Sequence, residues 1–383
     1  MADKTSIEWT RSADGSPGAT WNPITGCSVV SPGCTNCYAM KLAGTRLAQH
    51  PSRKGLTQNT KAGPVWTGDV RFNREWLDQP LRWARPRMVF VCAHGDLFHE
   101  SVPDEWIDQV FAVMAAAHWH TFQVLTKRAE RMAAYLCDRT GAGHAAERWV
   151  AASWELVKTM PALEQVGWSW AQDGMPWPLP NVWAGVSAED QKRADERLPF
   201  LLRTFAAVRW VSAEPLIGAI DLTQIRPDGI AFKIDALTGH AEHLLGDKGK
   251  LPGIDWLVAG GESQAGALPM NPAWVRQLRD QCKGAEVPFF FKQWGSWISA
   301  HDAGYSAWQR TGQRDGKVLG RVSRFDPRRG VPGLDGRDWP SAYPFPLGPD
   351  PGPVMINVGK ANAGRLLDGV EHNAMPAAFK ERT

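Results

Sequence analysis

Apolar positions in this chain gather in short bursts rather than long amphipathic stripes. The bursts run from Arg87 to Cys92, Thr121 to Leu125, Asn181 to Gly185, Ala207 to Val211, Ile254 to Ala259 and Val287 to Phe291. Continuous apolar runs of this length suit strands buried on both faces, as in a parallel sheet, better than half-exposed antiparallel strands. Between them lie segments with helical character: Pro103 to His118, Lys127 to Cys137, Glu189 to Leu202 and Pro272 to Cys282. Several open with Pro, Ser or an acidic residue in the first turn, as helix starts do. The alternation predicts an α/β fold with a parallel sheet and flanking helices, either doubly wound or a closed or partial (β/α) barrel.

Each burst ends in polar residues. They are His94-Gly95-Asp96 with His99-Glu100, Thr126-Lys127-Arg128, Ser187-Ala188-Glu189, Ser212-Ala213-Glu214, Gly260-Gly261-Glu262 and Lys292-Gln293-Trp294. Any one cluster can be a helix cap or a tight turn. Their recurrence after successive strands points to one site, because the carboxyl ends of parallel strands converge on the ligand-binding face. The barrel is expected over residues 1–295. Segments near 138–180 and 222–252 break the alternation and read as insertions on the ligand-binding side or as a lid. After Trp294 the chain turns rich in Gly, Pro and Arg, so 296–383 reads as an extension, with Val354 to Pro376 ordered against the barrel.

Composition narrows the class. No run reaches the roughly 20 apolar residues of a membrane span and the start has no signal-peptide segment, which predicts a soluble, cytoplasmic protein without a membrane partner. The net charge of +3 does not by itself argue for nucleic acid. The chain has 20 Trp against 4 Tyr, a supply of rings for stacking bases or, as the more usual use, for packing a core. Of the six cysteines, Cys92, Cys137 and Cys282 are scattered and read as packing residues.

The other three, Cys27, Cys34 and Cys37, lie in one short segment from Trp21 to Ala39. In a reducing compartment such a cluster reads as metal-binding. Three thiolates leave a fourth position open to a non-cysteine ligand. A histidine such as His50 or His94 would close a Cys3His zinc site in a structural or nucleic-acid-binding protein. A hydrolase reading has no Gly-x-Ser-x-Gly elbow to rest on.

The cysteine loop ahead of a run of βα units resembles the radical S-adenosylmethionine superfamily. More closely, Trp21-Asn22-Pro23 with Gly26-Cys27 and Gly33-Cys34-Thr-Asn-Cys37-Tyr38, Gly95-Asp96-Leu-Phe-His99-Glu100, Leu125-Thr-Lys-Arg128, Ser212-Ala-Glu-Pro-Leu216, Gly260-Gly-Glu-Ser263 and Phe290-Phe-Lys-Gln-Trp-Gly295 resemble a phage- and prophage-borne three-cysteine radical SAM-like family. Most of the superfamily spaces its cysteines C-x3-C-x2-C; here the spacing is C-x6-C-x2-C. Three more residues in a loop add little closure cost. Ala267-Leu268-Pro269 stands where the phage family has an arginine.

The resemblance implies a 4Fe–4S cluster on Cys27, Cys34 and Cys37, with S-adenosylmethionine chelating the remaining iron. Reductive cleavage of that cofactor would generate a radical that takes a hydrogen from the substrate, the electron coming from a flavodoxin- or ferredoxin-like donor. Tyr38 would pack near the adenine or serve as a hydrophobic anchor for the loop, and by their position after a strand His94, Gly95 and Asp96 would reach the methionyl amine. Ser187 and Glu189 would reach the ribose hydroxyls, and Glu214, Gly260, Gly261 and Glu262 would border the adenine or the substrate. Lys127, Arg128 and Lys292 are the cations for a substrate phosphate or carboxylate. The phage setting suggests a nucleic-acid base or nucleotide as substrate, modified in the host cytoplasm.

Overall fold

The computed structural model describes residues 4–12, 15–137, 143–164, 169–170, 172, 174–229, 231–243, 246–264, 266–299, 321–324, 354–357 and 359–380. Its centre is a curled half-barrel of seven parallel strands that neighbour one another in chain order. These are β1 (Ala19–Trp21), β2 (Met88–Val91), β3 (Thr121–Thr126), β4 (Val182–Ser187), β5 (Val208–Ala213), β6 (Trp256–Gly260) and β7 (Phe289–Gln293). Each of the last six overlaps one of the six apolar bursts, most of them displaced by one or two residues toward the carboxyl end. β1 adds a strand at the edge, pairing Ala19 with Val89 and Trp21 with Val91.

Helices α1 (Tyr38–Gly44), α2 (Asp104–Ala116), α3 (Ala129–Leu136), α4 (Gly143–Leu156), α5 (Gln191–Arg203) and α6 (Pro272–Gly284) occupy the connections. α2, α3, α5 and α6 bury apolar faces in the core formed with the outward residues of the strands, among them Val89, Val91, Phe122, Val124, Ala184, Val186, Val211 and Leu257. α4 falls in the first expected insertion. It lies on α2 in the outer layer, with Trp149 stacked on Phe111 at 4.6 Å, because its apolar face matches that helix rather than the polar strand ends. The second expected insertion is a three-stranded antiparallel sheet of Phe232–Ile234, His240–His243 and Lys248–Lys250. It takes the place of a helix between β5 and β6 and adds Ile225, Ile234 and Leu237 to the outer core.

The inward face of the sheet is aromatic. Alternation along a strand sends every second side chain inward. Met88, Phe90, Trp183, Val208, Trp210, Trp256, Val258 and Phe290 therefore form a second core. The 3-10 turn Glu8–Thr10 pushes Trp9 into it, 4.9 Å from Phe90 and 5.2 Å from Trp210. Gly185 is inward too, and must be glycine: a Cβ there would sit 2.4 Å from the Trp210 ring. Toward the carboxyl ends the same faces turn polar, through Ser187, Ser212 and Lys292. The result is a bowl with an aromatic floor and a polar rim.

Part of the expected extension closes the far edge. The Phe291 amide donates to His372 O at 2.9 Å, the Trp294 indole to Leu366 O and the Trp256 indole to Ala374 O. Val354–Asn357 pairs with Trp297–Ser299 and Arg321–Arg324; the rest of 300–353 lies outside the described residues. Among the described residues no helix is long and apolar enough to cross a membrane.

Candidate functional site

The cysteine segment leaves β1 and lies across the carboxyl ends of the strands. Asn22 Oδ1 accepts the His94 amide at 2.9 Å, and the Gly26 amide donates to His94 O at 3.1 Å. Gly26 has φ +98° and a Cβ on it would meet Asp69 O at 2.2 Å, so only glycine lets the chain turn here and deliver Cys27 beside β2. A 3-10 turn from Pro32 carries Cys34, whose carbonyl accepts the Cys37 amide at 3.2 Å. Cys37 is the N-cap residue of α1.

Two consecutive cations from the end of β3 face this loop. Arg128 Nη1 lies 3.4 Å from Cys27 Sγ and its Nη2 donates to Ser28 Oγ at 2.6 Å. Lys127 Nζ donates to Ser31 Oγ at 3.1 Å, and that hydroxyl is 3.6 Å from Cys34 Sγ. Each cation is anchored by a buried carboxylate. Asp96 Oδ2 takes Arg128 Nη1 at 3.2 Å, and its two oxygens also accept the Phe98 and Lys127 amides and the Thr126 hydroxyl. Glu189, fully buried, takes Lys127 at 2.9 Å, Arg197 at 2.8 Å and the Ser31 hydroxyl. Burial alone would raise the Glu189 pKa, but Lys127 and Arg197 overcome it and hold the carboxyl down at about 2.

The thiols respond to the same charges. Burial, reinforced by Asp96, pushes Cys27 up to about 12, and burial raises Cys37 as well. Cys34 moves the other way: burial opposes ionisation, yet Lys127 and hydrogen bonds from Val30 and Ser31 bring it below the ordinary thiol value. Cys92 and Cys282, remote in sequence, are buried thiols pushed up to about 12.

A third clamp comes from β6. Glu262 Oε2 accepts Asn36 Nδ2 at 3.0 Å, between Cys34 and Cys37, and the Leu268 amide at 2.7 Å; burial raises its pKa. Gly260 O accepts the Leu216 amide and the Gly261 amide donates to Gln293 O, so this pair ties strand ends together through its backbone. Asp96, Glu189, Glu262, Lys127 and Arg128 thus converge as the sequence suggests, and their side chains hold the cysteine loop.

Other groups are left at the rim. Lys292 Nζ pairs with Glu214 Oε1 at 2.7 Å. Tyr38 donates its hydroxyl to Ala93 O at 2.6 Å, stands edge-on to His94 with centroids 5.9 Å apart, and keeps 39% of its surface exposed. Burial, with Arg53 nearby, lowers the His94 pKa to about 4, so its ring is neutral at pH 7. Arg53 Nε donates to His94 Nδ1 at 3.4 Å, which leaves the proton on Nε2. Arg53 is the rim residue the sequence did not flag; only the density of Lys and Arg around it could have drawn attention.

Among the described residues no three of His, Cys, Asp and Glu converge on a single metal ion. His50, one candidate fourth ligand, is 2.7 Å from Ser52 Oγ through Nδ1. Lys127 and Arg128 place positive charge beside two of the three sulfurs, those of Cys34 and Cys27, so the thiols lie where an anionic metal–sulfur group could be held.

The model of the DUF5131 family, described as a protein of unknown function, matches residues 4–376. No curated protein and no solved structure matches the chain.

Proposed function

Since the chain belongs to the DUF5131 family along nearly its whole length, we propose from the site itself that it is a radical S-adenosylmethionine enzyme, with Cys27, Cys34 and Cys37 holding a 4Fe–4S cluster. The observation that carries this reading is the mounting of the loop. Three thiols on one segment are braced from β2, β3, β4 and β6, and the segment faces the polar rim of a half-barrel. When bound, the cluster and S-adenosylmethionine supply a reductively generated radical for hydrogen abstraction, with the electron drawn from a flavodoxin- or ferredoxin-like protein.

The chain's own groups position and exclude. His94 offers Nε2–H as a neutral donor. Glu214 and Lys292 place one charge of each sign side by side on the rim, suited to an amine or hydroxyls and to an anionic group respectively. Ser187 and Ser212, both buried, supply hydroxyls just above the aromatic floor. Trp9, Trp183, Trp210 and Trp256 fill the interior beneath, which keeps water from approaching the site through the barrel.

Anaerobic purification followed by iron, sulfide and zinc analysis tests the proposal. The expected result is about four irons per chain, lost in Cys27→Ala, Cys34→Ala and Cys37→Ala, with 5′-deoxyadenosine formed on reduction in the presence of S-adenosylmethionine. Stoichiometric zinc without iron would overturn it.

A further inference from the structure

Charge is unevenly distributed along the chain. Residues 41–87, from the second half of α1 to the residue before β2, contain ten Lys or Arg against three Asp or Glu, a local net charge of +7, so the remaining residues sum to −4. This connection also differs in structure. It carries a β-hairpin, Thr57–Thr60 with Gly63–Trp66, packed on α1, the helix that begins one residue after Cys37. The hairpin tip is polar and open, with Gln58, Asn59, Thr60 and Lys61 exposed, and the chain leading to it exposes Arg46 and Lys54.

A second observation points the same way from inside. Arg53 is 4% exposed, yet no carboxylate among the described residues lies within ion-pair reach of it. Its donors go to Ser52 O, Ser52 Oγ and His94 Nδ1, all neutral, and its Nη2 bonds none of the described residues. The guanidinium lies over the Trp76 ring at 5.9 Å, a contact that offsets only part of the cost of burying a charge without a counter-charge, and burial pulls its pKa down to about 10. An anion arriving at the rim would relieve that cost. Beside it stands Tyr38, 39% exposed, its hydroxyl held by Ala93 O and its ring set edge-on to His94.

Exposed cations recurring along one segment, an inner guanidinium without a counter-charge and a partly exposed aromatic ring together match a backbone of repeating phosphates carrying planar bases. An acidic peptide would satisfy the cations and leave the ring unused. We propose that residues 41–71 form a basic wing that binds the phosphate backbone of a single-stranded nucleic acid and leads it to the cysteine site, with Arg53 as the innermost phosphate contact. The binding stands on these residues alone; that the bound strand is the substrate rests on the radical reading above.

Fluorescence anisotropy with labelled 20-nucleotide single-stranded DNA and RNA, the corresponding duplex, and a poly-glutamate peptide tests this on the full-length protein, with and without iron. Wild type should bind a single strand at 50 mM KCl more tightly than the duplex, and should not bind poly-glutamate. The exposed triple variant Arg46→Glu/Lys54→Glu/Lys61→Glu should bind at least about tenfold more weakly, with the slope of log Kd against log salt reduced by about two to three. Lys248→Glu/Lys250→Glu, which reverses exposed cations on the other hairpin, should bind as wild type does. Absence of single-strand binding, tighter binding of duplex or poly-glutamate, or equal losses in both variants would overturn the wing. Binding that persists in a protein containing zinc and no iron would sustain the wing and sink the radical reading.

Discussion

Arg128 Nη1 stands 3.4 Å from Cys27 Sγ and 3.2 Å from Asp96 Oδ2, so one guanidinium nitrogen joins a cluster-ligand candidate to a buried carboxylate. Burial on its own would lower the Arg128 pKa, but Asp96 and Cys27 raise it and keep the cation charged. A fixed positive charge and an N–H donor at a thiolate favour the more reduced state of an iron–sulfur cluster.

In the proposed iron–sulfur protein, replacing Arg128 by Gln should therefore move the cluster midpoint potential to a more negative value, whereas Arg128→Lys should recover part of the shift. A redox titration followed by electron paramagnetic resonance measures it. An unchanged potential in Arg128→Gln would remove this residue from any tuning role and leave it a brace for the loop.

Glu189 gives the fold a defined acid sensitivity. Its folded pKa of about 2 lies below the unfolded value of 4.5, so its stabilisation is present in full above pH 4.5 and disappears as pH falls toward 2. The shift corresponds to about 3 kcal/mol at neutral pH. His94 acts in the same direction: its folded pKa of about 4 lies below 6.5, and stability is lost as pH drops through that interval. Glu189→Gln should unfold more readily at pH 7 and show a flatter decline between pH 4.5 and 2, measured as urea midpoints across pH. A variant that tracks wild type throughout would show that Lys127 and Arg197 find other partners.

The floor of the bowl should tolerate no added atom at Gly185. A Cβ 2.4 Å from the Trp210 ring requires the indole to move within a packed aromatic core, so Gly185→Ala should destabilise by about 1 to 3 kcal/mol. Trp210→Phe in the same background should recover part of that loss, a non-additivity that a thermal double-mutant cycle reads directly.

Removal of residues 364–383 should expose the outer edge of β7. The carbonyls of Gly364, Leu366, His372 and Ala374 accept hydrogen bonds from Trp294, Phe291 and Trp256, and Asp368 pairs with Arg276 and Arg279. An uncovered parallel edge is a template for intermolecular pairing. The truncated chain should lose thermal stability and associate in a concentration-dependent way, seen by light scattering.

Much of this architecture was legible in the sequence because parallel strands buried on both faces announce themselves as apolar runs. The strands at Met88–Val91 and Thr121–Thr126 overlap the expected bursts almost residue for residue. β1 escaped because Ala-Thr-Trp is too short to carry a period. The strand-end clusters were visible as a group, but their employment was not. Glu262 reaches Asn36 across 226 positions and Ser31 reaches Glu189 across 158, and nothing local in either segment names the other. Arg53 was missed for a related reason: an arginine's burial depends on what folds over it.

The Trp content also takes on a practical meaning. Trp9 and Trp210, Trp210 and Trp256, and Trp183 and Trp256 stand 5.2, 5.5 and 5.8 Å apart by ring centroid, in a chiral and rigid arrangement under the site. Indoles held that close interact electronically, and fixed aromatic packing is what near-ultraviolet circular dichroism records. The interior of the half-barrel is thus its own optical probe, one that reports whether the scaffold beneath the cysteines is intact whether or not they hold metal.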